Sequence, residues 1–195
     1  MIRFFDFLFS FLGLILLLPF FMVIALCILF DSRGGVFYLQ DRVGKNNRDF
    51  RLIKFRTMRP GADRQGGLTV GMRDARITGT GFFLRRYKLD ELPQLVNVLK
   101  GEMSLVGPRP ELRKYVDLYS EEQRRVLSIR PGITDFASLE YLNENEILGT
   151  SADPERTYVE QIMPAKLELN RKFLEDPRPG NYFRIIGLTI KRLFS

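Results

Sequence analysis

FLFSFLGLILLLPFFMVIALCILF, residues 7–30, runs for 24 positions without a charged side chain. A membrane helix needs about 20 such residues, so this run decides where the rest of the chain sits. A cleaved leader fits poorly, because the run is long and no small-x-small site precedes the charged DSRGG at 31–35. A core helix of a soluble protein is the weaker alternative. Pro19 stands near the middle, where it removes a backbone donor and crowds the preceding turn, so it kinks or breaks a helix. The halves Phe7–Leu18 and Phe20–Phe30 each reach roughly 16–18 Å, short of a ~30 Å hydrocarbon core. Two geometries follow: a kinked helix that spans, or a helical hairpin that enters and leaves by one face. Residue physics alone favours the spanning helix.

Just outside this run, Arg3 and Asp6 are three apart on one helix face, an expected ion pair at the membrane boundary. Beyond it, residues 33 to 64 hold nine Lys or Arg against three Asp, nearly all of the chain's net charge of +7. Such a zone points to an anionic partner and belongs on the cytoplasmic side in either geometry. Composition excludes more than it proposes. With one cysteine, Cys27, no intrachain disulfide can form. With no histidine, Ser-His-Asp and Cys-His catalysis and histidine-ligated metals are ruled out. Acid-base chemistry falls to Asp, Glu, Lys or Tyr.

VFYLQDRVG and FRLIKFRTM read as strands joined by the turn-prone GKNNRD at 44–49, and alternation puts Lys54 and Arg56 on one face. The segment 61–81, with six glycines, reads as a loop and contains no phosphate-binding glycine motif. A short helix is expected over Phe82–Lys88. In LDELPQLVNVLKGEMS, Asp90 suits a helix N-cap, Pro93 its first turn, Lys100 its last and Gly101 its stop. GPRP at 107–110 and RPGIT at 130–134 are stiff turns, and Glu111–Leu127 reads as a helix. The acidic stretch 140–160 reads as a solvated loop and helix start. NYFRIIGLTIKRLF at 181–194 is amphipathic, with Phe183, Ile186, Ile190, Leu193 and Phe194 on the expected apolar side, suited to a membrane interface or to core packing. The fold class is α+β and mostly helical.

Asp90 and Glu91 pose the chemical question. A carboxylate at a helix start is usually a cap; one kept ionised beside a phosphate-binding position is a competent nucleophile toward phosphorus. Arg85, one turn upstream, and Arg109, between two prolines, are placed to neutralise phosphate charge, with Lys54 and Arg56 as further candidates. No nucleic-acid module is present, and net charge alone does not argue for one.

LDELPQLVNVLKGEMSLVGPRP resembles the signature block of the bacterial sugar transferases, the monotopic phosphoglycosyl transferases. Arg3-x-x-Asp6, Pro19, QDRVG at 40–44, KFRTM at 54–58 and RPGIT are similar to family motifs in the same order, over nearly the whole chain. The resemblance implies transfer of a sugar 1-phosphate from a UDP-sugar to a polyprenol phosphate, undecaprenyl phosphate, with release of UMP. Asp90 would be the nucleophile, Mg²⁺ would be held by Asp90 and Glu91, and Arg85 and Arg109 would meet the phosphates. It also implies a re-entrant hairpin over residues 1–32, broken at Pro19, and a catalytic domain over 33–195 on the cytoplasmic face of the bacterial inner membrane, touching lipid through interfacial helices. Many members carry serine before the central proline and glycine after RPGIT; this chain has Leu18 and Asp135-Phe136. A membrane-anchored scaffold binding anionic lipid is the alternative, and a homo-oligomer is left open.

Overall fold

The computed structural model describes residues 1–62, 74–141, 144–175 and 178–193, apart from the side chains of Asn145 and Leu193. Most of the glycine-rich segment and Phe194 therefore lie outside the described residues. The protein is a mostly helical α+β fold. Helix α1, Ile2–Asp31, leads into an antiparallel hairpin of β1, Phe37–Val43, and β2, Asp49–Phe55. Asn46 and Asn47 close the hairpin with φ of 57° and 61°, a left-handed backbone that asparagine tolerates better than most residues.

Helices α2, Gly79–Arg86, and α3, Gln94–Lys100, follow. α2 starts earlier than expected because Thr78 caps it, its hydroxyl accepting from Gly81 N. α3 stops at Gly101 in the left-handed region, as read from sequence. Its buried face is Gln94, Asn97 and Val98. The Asn97 side chain accepts from Ile53 N at 3.0 Å and donates to Arg51 O at 2.8 Å, tying α3 to β2. The Leu95 side chain meets Gly13 of α1 on the other side.

The expected helix over 111–127 breaks into α4, Arg113–Val116, and a tight turn, Gln123–Ser128. Between them Ser120 and Gln123 bond each other's backbone N–H groups, an alternative to helix that such side chains supply. Two short parallel strands, β3, Ser104–Val106, and β4, Gly132–Thr134, precede the helices α5, Phe136–Glu140, α6, Glu144–Thr150, α7, Pro154–Thr157, α8, Met163–Glu175, and α9, Pro179–Leu193. The acidic stretch is thus structured, with Leu148 and Tyr158 buried in the core under α4.

In α1 the hydrogen-bonded turns run through Pro19, where a break was expected, so one helix forms and not two halves. Proline's fixed φ is helical, and the cost falls on one lost donor near the carbonyl of Ile15. An 18-residue window of this helix has mean hydropathy 3.0, and only 11% of it is buried, so it is no core helix. Its two ends, however, are both docked. Near the start, Asp6 is 2% exposed and accepts from Ser104 Oγ, Leu105 N and the Tyr182 hydroxyl, each at 2.9 Å. Arg3 donates to the Leu99 and Met103 carbonyls, and its nitrogen lies 3.9 Å from Asp6, so the expected ion pair is looser than each partner's hold on the domain. Near the far end, Ile24 and Ile28 pack with Phe55 and Leu84, and Asp31 accepts from Thr80 N at 2.6 Å.

The buried face of α9 is rotated from the expected one. Tyr182 and Ile185 enter the core, drawn by the hydroxyl's bond to Asp6, while Phe183 and Ile190 are left 41% and 52% exposed. Phe82 and Phe83 of α2 are exposed as well.

Candidate active site

Both acids lie on one tight turn, Leu89–Glu91, between α2 and α3. The chain reaches it through Lys88 at φ 54°, ψ 23°, a conformation lysine seldom adopts. The turn's bonds run from Glu91 N to Lys88 O and from Leu92 N to Leu89 O, so α3 proper begins only after Pro93 and has no side-chain cap. Asp90 is therefore not the N-cap its position suggests, and capping is not what sets its charge.

What sets it is the cavity. Asp90 lines a space of about 470 Å³ together with Lys54, Arg85, Lys88, Glu91 and Arg109. It is 8% exposed, and among the described residues nothing donates a hydrogen bond to its carboxylate. Burial, reinforced by the neighbouring Glu91 charge, pushes its pKa up to about 6.

Glu91 is held in the opposite way. Arg109 clasps both its oxygens, Nη1 to Oε2 at 3.0 Å and Nη2 to Oε1, and Lys54 Nζ donates to Oε1 at 3.3 Å. Burial would raise its pKa, but the Arg109 and Lys54 charges outweigh that and hold it well below the carboxylate range. Burial lowers the pKa values of Lys54, Arg85 and Lys88, against the pull of the acids.

Arg109 owes its place to two backbone segments in direct contact. A Cβ on Gly132 would lie 2.1 Å from Gly107 N, and one on Gly107 would lie 2.4 Å from Arg130 O. Only glycines let GPRP and RPGIT approach this closely, with Gly107 N bonding Thr134 O and Gly132 N bonding Pro108 O, both at 3.0 Å. Asp135 completes the mount. It is 1% exposed, accepts from Arg109 N at 3.1 Å through one oxygen, and caps α5 through the other, which accepts from Ser138 N at 2.6 Å.

The structure thus brings Asp90, Glu91, Arg85, Arg109 and Lys54 to one cavity. Arg56 also lines it, but its guanidinium turns to the carboxyl end of α1, donating to Arg33 O and Ser32 O at 2.7 Å each. Its two terminal nitrogens are committed to closing that helix end, while Nε is buried without a partner among the described residues. Pro19, Arg3 and Asp6 belong to α1 and its docking. The expected metal pair fits only in part. Among the described residues no three acidic or sulfur ligands gather. Mg²⁺ takes one or two carboxylates plus phosphates and water, which Asp90 can supply, whereas both Glu91 oxygens already face cations.

Sequence reasoning passed over Lys88, whose only signal is its place just before the acids. It also passed over a second group of residues that line the cavity. There Glu111, directly after GPRP, accepts from Arg42 Nη1 at 3.0 Å and from the Tyr158 hydroxyl, and Lys166 pairs with Glu144 at 2.6 Å. No periodicity marks these residues, which come from five separate stretches of the chain.

A family model described as bacterial sugar transferase matches residues 1–195. The chain is 40% identical over 146 residues to UDP-N-acetylgalactosamine-undecaprenyl-phosphate N-acetylgalactosaminephosphotransferase of Aeromonas hydrophila, across 72% of this chain and 32% of that protein. It is 42% identical over 144 residues to undecaprenyl-phosphate glucose phosphotransferase of Komagataeibacter xylinus, across 70% and 27%. It is 38% identical over 147 residues to the exopolysaccharide production protein ExoY of Sinorhizobium fredii, across 68% and 65%. The matches thus span about a third or less of the first two relatives and about two thirds of the third.

Proposed function

The chain belongs to the bacterial sugar transferase family, and on that premise we propose that it transfers a sugar 1-phosphate from a UDP-sugar to undecaprenyl phosphate. The products are UMP and a polyprenyl diphosphate sugar, at the first membrane step of building a glycoconjugate. The observation that carries this reading is Asp90: a buried carboxylate without a hydrogen-bond donor among the described residues, open to a cavity that Lys54, Arg85, Lys88 and Arg109 also line.

Those cations draw a diphosphate to the acid. An Asp90 oxygen attacks the phosphorus next to the sugar; the bond from that phosphorus to the bridging oxygen breaks, and its electron pair leaves with UMP. An oxygen of the polyprenol phosphate then attacks the same phosphorus, and the bond to Asp90 breaks to return the carboxylate. Mg²⁺, held by Asp90, would supply further charge neutralisation. Glu91 acts through its ion pairs, fixing Arg109 and Lys54 beside the phosphates.

For topology, α1 enters and leaves by the cytoplasmic face. The support is that both of its ends dock on one body, through Asp6 and through Asp31, which two ends separated by a ~30 Å hydrocarbon core could not do. Exposed Phe82, Phe83, Phe183 and Ile190 give the domain apolar contacts for the membrane surface. A tag ahead of Arg3 is expected to be labelled only from the cytoplasmic side; periplasmic labelling would mean a spanning helix.

The chemical test is UMP release by the purified chain in lipid nanodiscs with polyprenol phosphate, Mg²⁺ and a panel of UDP-sugars. Without acceptor, the intact protein mass should grow by one sugar phosphate. Absence of UMP from every sugar offered would sink the reading.

A further inference from the structure

The cavity carries two chemically distinct sets of groups. Around Asp90 it is cationic. The same cavity is also lined by Gln40 of β1, Ser138 of α5, Tyr141 just after α5, and Glu144 of α6. These four come from segments 37 to 144, brought together by the fold and by no local pattern. Among the described residues, the Gln40 amide nitrogen, the Ser138 hydroxyl and the Tyr141 hydroxyl make no hydrogen bond. Glu144 uses Oε2 for Lys166, leaving Oε1 without a partner.

Behind this row lies a layer whose polar groups bond one another, Arg42 Nε alone among them being buried without a partner among the described residues. Gln40 Oε1 accepts from Arg42 Nη2 at 3.0 Å, Arg42 donates to Glu111, and Glu111 accepts from Tyr158. Tyr158 opens a segment, Tyr158–Ile162, that widens from α-helical to π-helical turns, a local insertion that commonly re-aims side chains at binding sites. Arg42, Glu111 and Tyr158 are thus fixed, and the front row is held by fixed neighbours while its own donors and acceptors face open space. A wall carrying an amide donor, two hydroxyls and a carboxylate acceptor, with tyrosine rings among them, matches a ring bearing several hydroxyl groups. It matches a phosphate badly, because Glu144 and Glu111 would repel one.

We propose that Gln40, Ser138, Tyr141 and Glu144 form the subsite that holds the sugar ring and selects among UDP-sugars. This rests on the transferase reading above. The sugar is joined through its anomeric oxygen to the attacked phosphorus, so it must lie in the cavity that these four residues share with Asp90. Asp135 caps α5 and so fixes Ser138 at this wall.

The test uses the full chain in nanodiscs, with UMP release measured across a panel of UDP-glucose, UDP-galactose and their N-acetyl counterparts. Ser138→Ala, Tyr141→Phe and Glu144→Gln are each expected to lower kcat/KM for the preferred sugar roughly tenfold, one hydrogen bond's worth, and to change the rank order of the panel. Inhibition by UMP should stay within twofold of wild type, which also reports that each variant is folded. Equal losses for every sugar with weakened UMP inhibition would place the nucleoside at this wall and overturn the proposal. So would an unchanged rank order in all three variants. No UMP from any sugar with the wild-type chain is a separate outcome: the transferase reading fails and the subsite with it.

Discussion

On the Asp90 side of the cavity a carboxylate stands buried with no hydrogen-bond donor among the described residues and a pKa near 6; on the Glu91 side, one residue on, a carboxylate is clasped by a guanidinium and an ammonium. The covalent chemistry of the two groups is almost the same. Their roles are set apart by what surrounds them, the general means by which one fold assigns different tasks to paired acids. A carboxylate engaged at both oxygens is a poor nucleophile, and one with open lone pairs is a good one. In the proposed reaction the second acid organises the cations and the first attacks.

The hardest blow to this division is Asp90→Asn. It should lower UMP release by at least about 10⁴-fold and abolish the mass increment of the sugar phosphate, as loss of a nucleophile does elsewhere. Because burial and the Glu91 charge penalise an ionised Asp90 more than the nearby cations favour it, the same change should raise Tm at pH 8. Substantial residual turnover would show that the open acid is not the nucleophile. Next in size is Arg109→Ala, with an expected loss of roughly 10²- to 10³-fold in kcat/KM, since it removes a phosphate-facing charge and unclasps Glu91 together. Arg109→Lys should recover only part, because a point charge cannot hold both oxygens at once.

Much of this site lies beyond what sequence patterns carry. Signals that act over a few residues were legible: the uncharged run of α1, the asparagine turn between β1 and β2, and the Gly101 stop. Arg85 and Arg109 were legible as candidates beside Asp90 from the residues themselves, and the resemblance strengthened the grouping. The capping role expected of Asp90 failed because Lys88 takes a left-handed backbone that nothing in its side chain announces. The Glu91–Arg109 pair joins residues 18 apart through the contact of Gly107 with Gly132, which spacing alone does not reveal. The stretch 140–160 looked solvated because charge was counted without its partners; Lys166, near the start of α8, pairs with Glu144. At Pro19 residue physics left a kink or a break open, because the docking of both helix ends has no local signal.

A middle-sized effect separates an electrostatic Glu91 from a metal-binding one. UMP release should fall as pH drops through about 6, because Asp90 takes up a proton there and loses its lone pair for attack. Glu91 raises that pKa, while the cations it now occupies would lower it if freed. In Glu91→Gln the acidic limb of the kcat/KM profile should therefore move to lower pH, with activity reduced roughly tenfold to a hundredfold. The Mg²⁺ concentration for half-maximal rate should stay the same. A raised Mg²⁺ requirement with an unmoved acidic limb would return Glu91 to the metal and erase the contrast with Asp90.

The smallest effect probes how the contrast is maintained from behind. One Asp135 oxygen accepts from the Arg109 backbone and the other from Ser138, so the carboxylate both aims the clasp on Glu91 and caps α5. Asp135→Asn keeps a single acceptor oxygen and can serve only one of the two N–H groups. It should cost about 1 kcal/mol of stability and a few-fold in kcat. Asp135→Ala loses both and should cost more, leaving a buried N–H beside Arg109 unpaired. If the role were only to stabilise, kcat would be unchanged at temperatures well below Tm in both variants. A role in aiming Arg109 predicts a kcat deficit that persists at low temperature, is larger in alanine than in asparagine, and comes with an acidic limb shifted the same way as in Glu91→Gln. That shared direction is the discriminating result, since a slack clasp leaves Arg109 free to pull on Asp90 instead.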